Sequence, residues 1–131
     1  MSQTRVVFYQ EEDGTVTLLA WLKELRRHRP PTYAKCVASI RLLAELGHQM
    51  RRPRAEYLGD GLYELRPKVG RVHYRILYFF HGRDVVVLTH GFTKEGGIPA
   101  AELRRALRMK AAFERNPEAH SYYEELGHGK D

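Results

Sequence analysis

The stretch LYELRPKVGRVHYRILYFF, residues 62–80, sets Arg66, Lys68, Arg71 and Arg75 among some of the most apolar residues of the chain. A guanidinium stays charged at neutral pH and presents a planar fork of donors suited to carboxylate or phosphate. The segment reads as strand, turn and strand, and side chains two apart in a strand share a face. His73 and Arg75 therefore share a side, as do Glu64 and Arg66. If Tyr63, Leu65, Tyr74, Ile76 and Tyr78 turn toward helices, then Glu64, Arg66, His73 and Arg75 converge on the opposite face. Such a set either grips a phosphate or forms surface ion pairs of Arg66 and Arg75 with Glu64 and Asp60, contributing about 0–1 kcal/mol each. Lys68 and Arg71 fall at the turn, where they are solvated or guide a polyanion.

The basic residues are not spread evenly. Arginine outnumbers lysine sixteen to six in a 131-residue chain of net charge +6. Residues 51–75 hold seven of these cations (Arg51, Arg52, Arg54, Arg66, Lys68, Arg71, Arg75) against Glu56, Asp60 and Glu64. More than half of the net charge can come from this stretch, which points to a polyanionic partner.

Other chemistries find little support. Seven histidines are present, yet none stands in H-x-x-x-H or H-E-x-x-H spacing and no C-x-x-C occurs, so no metal site is expected. The P-loop and dinucleotide fingerprints are absent, so no nucleotide cofactor is expected, and no serine stands in a nucleophile elbow. Cys36, the single cysteine, lies on the apolar side of a helical pattern and reads as a small core residue. No apolar run approaches the ~20 residues that cross a bilayer, and the N-terminus lacks the features of a signal peptide. The expectation is a cytoplasmic protein that does not contact the membrane.

The elements that must position these residues follow from periodicity. Residues 5–10 are β-branched and aromatic, a strand closed by the turn-like EEDG. Leu18, Trp21, Leu22 and Leu25 recur at helical spacing. RPP at 29–31 stops that helix and starts another over about 31–47, with Tyr33, Val37, Ile40, Leu43 and Ala44 in line and Gly47 past its end. The basic stretch 48–55 has no periodicity. Three β-like runs follow at 56–66, 71–80 and 84–92, and a last helix begins at Pro99 with Leu103, Ala106, Leu107, Lys110 and Phe113 on one face. The order β-α-α-β-β-β-α predicts an α+β fold, a twisted antiparallel sheet with helices packed on one face and the other face free. One domain over 1–115 is expected, with 116–131 a polar tail that is ordered only in part.

Four pieces in order carry a resemblance: GLYELR, YRILYFF, a valine-rich strand ending HGFTK, and IPAAELRRA opening a helix. Together they make residues 57–106 resemble the RelE/HigB superfamily of type II toxins, in particular its phage-derived, HigB-like branch. The resemblance implies a ribosome-dependent mRNA endoribonuclease held inactive by a cognate antitoxin, often a helix-turn-helix protein. It implies metal-free cleavage by attack of a ribose 2′-hydroxyl on the adjacent phosphate. By this likeness Arg66 and Arg75 are phosphate clamps, and Lys94 matches the basic residue after the last strand, a clamp or an acid. His73 is the base best placed by titration range, with His90 next, while Lys68, Arg71, Arg51, Arg52 and Arg54 would bind RNA. The sequence departs from relatives that carry two basic residues where TKEGG stands, and from those with lysines where Glu64 stands. Two other functions share the fold: a ParE-like inhibitor of DNA gyrase, and a phage-derived binding module without cleavage.

Overall fold

The structure is a computed structural model and describes residues 4–94 and 96–126. Strand β1 spans Arg5–Tyr9. Helix α1, Thr17–His28, buries Leu18, Leu19 and Leu22 and gathers Arg26, Arg27 and His28 in its last turn, where cations complement the helix dipole. Pro30 opens α2, Pro30–Leu46, because the first helical position needs no N–H donor. Gly47 ends it at φ 52°, and a Cβ there would lie 2.3 Å from Thr4 Oγ1. Both conditions require glycine.

The run at 56–66 is two strands, β2 (Ala55–Gly59) and β3 (Leu62–Leu65). Gly59, Asp60 and Gly61 all take positive φ between them, a tight reversal that a continuous strand reading overlooks. A two-residue strand β4 (Lys68–Val69) pairs with β5 (Val72–His81), followed by β6 (Val85–Thr93) and α3 (Ala100–Arg115). After α3 a 3₁₀ turn at Pro117–His120 leads to a two-residue strand β7, Ser121–Tyr122, which pairs with β1.

Among the described residues the sheet has seven strands in the order β2-β3-β5-β6-β1-β7, with β4 beside β5. It is mostly antiparallel, as expected of a RelE-like α+β fold, but β1 runs parallel to β6, with Arg5 opposite Val85. The helices do not lie on one face. Phe8, Ile76, Tyr78, Val86 and Leu88 pack with residues of α1 and α2. Val7, Leu77, Phe79 and Val87 pack with Ala106, Met109 and Phe113 of α3 on the other face. The reason is legible in β5 itself, which is apolar on both sides and so demands cover on both.

A register shift between β5 and β6 completes the frame. Ile76 faces Gly91, whereas Tyr78 faces Leu88, so β6 carries one extra residue there, as in a β-bulge. Beyond it Gly91 meets Trp21 on the α1 side, while His90 and Phe92 turn toward α3.

Candidate functional site

Glu56 stands opposite Glu64 across β2 and β3, and Glu64 opposite Leu77 across β3 and β5. Arg75, two residues before Leu77, therefore shares their face, which is the α3 side. Its Nε lies 2.6 Å from Glu64 Oε1, and both side chains are less than 10% exposed. The contact is ionic and poorly aligned, leaving Oε1 without a good hydrogen bond. Arg75 Nη1 donates to the Tyr74 carbonyl at 3.0 Å. This pair is buried, unlike the surface pair read from the sequence, because α3 covers the face that was expected to be open.

Arg66 follows β3 directly, and its Nη1 reaches Glu56 Oε1 at 3.1 Å. Arg52 Nη2 takes the other oxygen of Glu56 at 2.5 Å. Glu56, rather than Asp60, is thus the partner of Arg66. The Arg52–Glu56–Arg66 chain runs beside the Glu64–Arg75 pair. Burial raises the Glu64 carboxyl pKa, and the charges of Arg75 and then Arg66 oppose that shift. A single buried carboxylate accordingly feels both arginines. Glu56 and Glu64 were visible in the sequence as acidic residues, but their roles depend on cross-strand register. Only the period-two alternation could have hinted at it.

His73, near the start of β5, and Lys94, just after β6, meet through the backbone. Lys94 N–H donates to the His73 carbonyl at 2.9 Å, prolonging the β5–β6 ladder. His73 is exposed and Lys94 half-buried. Lys68 stands opposite His73 across β4 and β5, and Arg71 lies exposed at the intervening turn. Among the basic loop residues, Arg54 is tied to the site through its carbonyl, which accepts from Arg66 N–H at 2.8 Å. Arg51 Nη1 donates to the His48 carbonyl at 3.3 Å.

His90 is fully buried. Its Nε2 lies 2.8 Å from Glu102 Oε1 on α3, and its Nδ1 is 3.2 Å from the Thr89 hydroxyl. Burial lowers its pKa, and the hydrogen bond to Glu102 opposes the shift. A histidine in this position ties β6 to α3 and has no surface from which to take a substrate proton. Cys36 is also fully buried, and burial pushes its thiol up to about 12, far from nucleophilic at neutral pH.

Among the described residues no group of histidine, cysteine and carboxylate side chains could hold a metal ion. No described helix is long and apolar enough to cross a membrane. A cleft of about 560 Å³ lies at the opposite edge of the sheet, between β1, α2 and the C-terminal segment. Its lining includes Phe8, Ile40, Arg41 and Tyr123 and none of the site residues above.

What the arrangement offers is a row of guanidiniums held by carboxylates, with an imidazole and an ammonium at one end. Such a row can bind a phosphodiester and stabilise negative charge that develops on it. The family model described as phage-derived protein Gp49-like (DUF891) matches residues 20–111. No curated protein matches the chain.

Proposed function

Because the chain belongs to the phage-derived Gp49-like family, which is associated with RelE/HigB-like toxins of toxin–antitoxin systems, we propose that it is such a toxin and cleaves mRNA. The observation that carries the proposal is the placement of Arg75 on the buried Glu64 and of Arg66 on Glu56, two carboxylates that stand opposite each other across β2 and β3. In this reading a scissile phosphate displaces carboxylate from the guanidiniums and takes over their charge. The Arg66–Glu56 pair, with both side chains about 30% exposed, exchanges first. Arg75 is the inner, fixed member and retains further N–H donors beyond those engaged with Glu64 and Tyr74.

The reaction needs no cofactor. The ribose 2′-oxygen forms a bond to phosphorus, the bond to the 5′-oxygen breaks, and a 2′,3′-cyclic phosphate and a free 5′-hydroxyl result. His73, an exposed imidazole two residues before Arg75 on β5 and so on the same strand face, takes the 2′-proton. Lys94, joined to His73 through the backbone, supplies positive charge or a proton at the leaving oxygen. Glu64, held above the usual carboxylate range by burial, is the second group able to accept a proton. The partners of this reading are mRNA on the ribosome and a helix-turn-helix antitoxin in the cytoplasm.

The test is induction of the wild type beside Arg66→Ala/Arg75→Ala, with mRNA 5′ ends mapped in each. New 5′ ends that vanish in the double variant support cleavage by this site. Growth arrest with intact mRNA and altered plasmid supercoiling would make the protein a gyrase-directed toxin instead. Since Arg75 is buried, a circular-dichroism melt must show the double variant folded, and Arg66→Ala alone provides the milder variant. His73→Gln and Glu64→Gln then separate the bases, because replacing the true base abolishes the acid limb of the pH–rate profile.

A further inference from the structure

Tyr57 is 55% exposed on β2, the outermost strand of the sheet. Its neighbour Glu56 points to the arginine face, so Tyr57 points to the other. There its ring contacts Tyr63, which faces it across β3, at 4.9 Å between centroids. Tyr63 stacks on the buried Tyr78 at 5.3 Å and is met edge-on by Phe80. His48 lies over Phe80 at 3.7 Å with the rings 20° apart. These rings form a continuous strip from the core to the β2 edge. Its ends, Tyr57 and His48, are both exposed.

The strip is held in place. The Tyr57 hydroxyl accepts from Gly61 N–H at 3.1 Å, which anchors the ring through the turn that ends its own strand. The loop between His48 and Tyr57 carries Arg51, Arg52 and Arg54, all exposed; Arg52 turns to Glu56 on the arginine face, whereas Arg51 Nη1 donates to the carbonyl of His48 at the end of the strip. Arg54 makes no ion pair among the described residues. Aromatic faces beside guanidiniums match a single strand of nucleic acid, whose unpaired bases stack while its phosphates meet the cations. An amphipathic protein helix would instead seek an aliphatic groove, and a duplex offers no free base faces.

We propose that Tyr57, Tyr63, Phe80 and His48, with Arg51 and Arg54 of the adjoining loop, form a stacking site for unpaired bases of single-stranded RNA. The site lies on the sheet face opposite Arg66 and Arg75, across the width of strand β2. It rests on the reading that the protein acts on RNA and assigns where the strand lies outside the cleavage centre.

The probe is a fluorescent decaribonucleotide with 2′-O-methyl riboses, which the proposed reaction cannot cleave. Tyr57→Ala should weaken its binding roughly tenfold while Tyr57→Phe retains it, and a duplex of the same sequence should bind wild type and Tyr57→Ala alike. Arg54→Ala should reduce the salt slope of single-strand binding by about 0.7, a slope that Tyr57→Ala leaves unchanged. Equal single-strand affinity of wild type and Tyr57→Ala overturns the site, as does an equal loss on duplex, or a loss seen only toward a protein partner. The circular-dichroism melt should show Tyr57→Ala folded, its loss confined to the Tyr63 contact and the Gly61 hydrogen bond. If Tyr57-dependent binding is found without new mRNA ends in cells, the nuclease reading fails and this site stands. If mRNA is cut but Tyr57→Ala binds normally, the reverse holds.

Discussion

At the scale of single residues, the buried Arg75–Glu64 pair sets the strongest constraint. Removing one member of such a pair leaves a desolvated charge and costs about 3–5 kcal/mol. Arg75→Ala is therefore expected to lose most of that in urea unfolding. Arg75→Met combined with Glu64→Leu should recover the greater part, because apolar replacement of both partners removes the unpaired charge. A double variant as unstable as Arg75→Ala would contradict this account. Two groups also link stability to pH in opposite senses. Glu64 has a folded pKa above its ordinary 4.5, so its contribution is fully present below 4.5 and is lost as pH rises through the folded value. The stability of wild type relative to Glu64→Gln should then decline as pH rises above 4.5. His90 has a folded pKa below its ordinary 6.5, so its contribution is present above 6.5 and is lost as pH falls. Relative to His90→Gln, the wild type should lose stability on acidification from pH 7.5, and a rise would rule out the buried neutral imidazole.

At the scale of elements, the bulge in β6 decides what each strand face presents. It turns Gly91 toward α1 and His90 toward α3, and the contact on the α1 side leaves no room for a side chain. A Cβ at Gly91 would lie 2.5 Å from the Trp21 ring. Gly91→Ala is expected to displace Trp21 and cost about 1–3 kcal/mol by overpacking, seen as a lower melting temperature with altered tryptophan fluorescence. An unchanged spectrum would show that α1 and β6 do not approach so closely. Helix α3 is held on the other face by Phe113, whose ring meets Phe79 edge-on at 5.7 Å. Phe113→Ala is expected to cost about 3–5 kcal/mol and to speed amide exchange in the β6 strand beneath α3.

At the scale of the whole molecule, the chain after α3 closes the sheet at β1. Tyr122 pairs with Phe8 and Ser121 with Tyr9. His120 stacks on Tyr9 at 5.0 Å, and its Nδ1 donates to the Gln10 carbonyl at 2.8 Å. Farther on, Arg41 donates to the Leu126 carbonyl. Truncation after Asn116 would uncover the β1 edge, and uncovered edges favour association between chains. The truncated protein is expected to melt earlier and to form larger species in gel filtration. A monomer with wild-type melting behaviour would show that the segment is dispensable. At the opposite edge the outer side of β2 has no neighbouring strand among the described residues, and there the aromatic strip and the basic loop lie.

The order of the three helices and the main strands was legible in the sequence because it rests on local rules, whereas the reversal inside 56–66 and the short strands β4 and β7 were not. Helical spacing of Leu18, Leu22 and Leu25, the prolines at 30–31, Gly47 and the alternation along 72–80 each act within a few residues. The same alternation put Arg66 and Arg75 on one sheet face. What only the tertiary structure decided depends on contacts between distant segments. The parallel pairing of β1 with β6, the crossing of α3 to the far face and the burial of Arg75 all follow from which apolar surfaces meet. The choice of Glu56 over Asp60 as the partner of Arg66 follows from cross-strand register, since Asp60 sits in the reversal between β2 and β3. A pattern of period two states which side chains share a face. It does not state what covers that face, and that cover made a surface ion pair into a buried one.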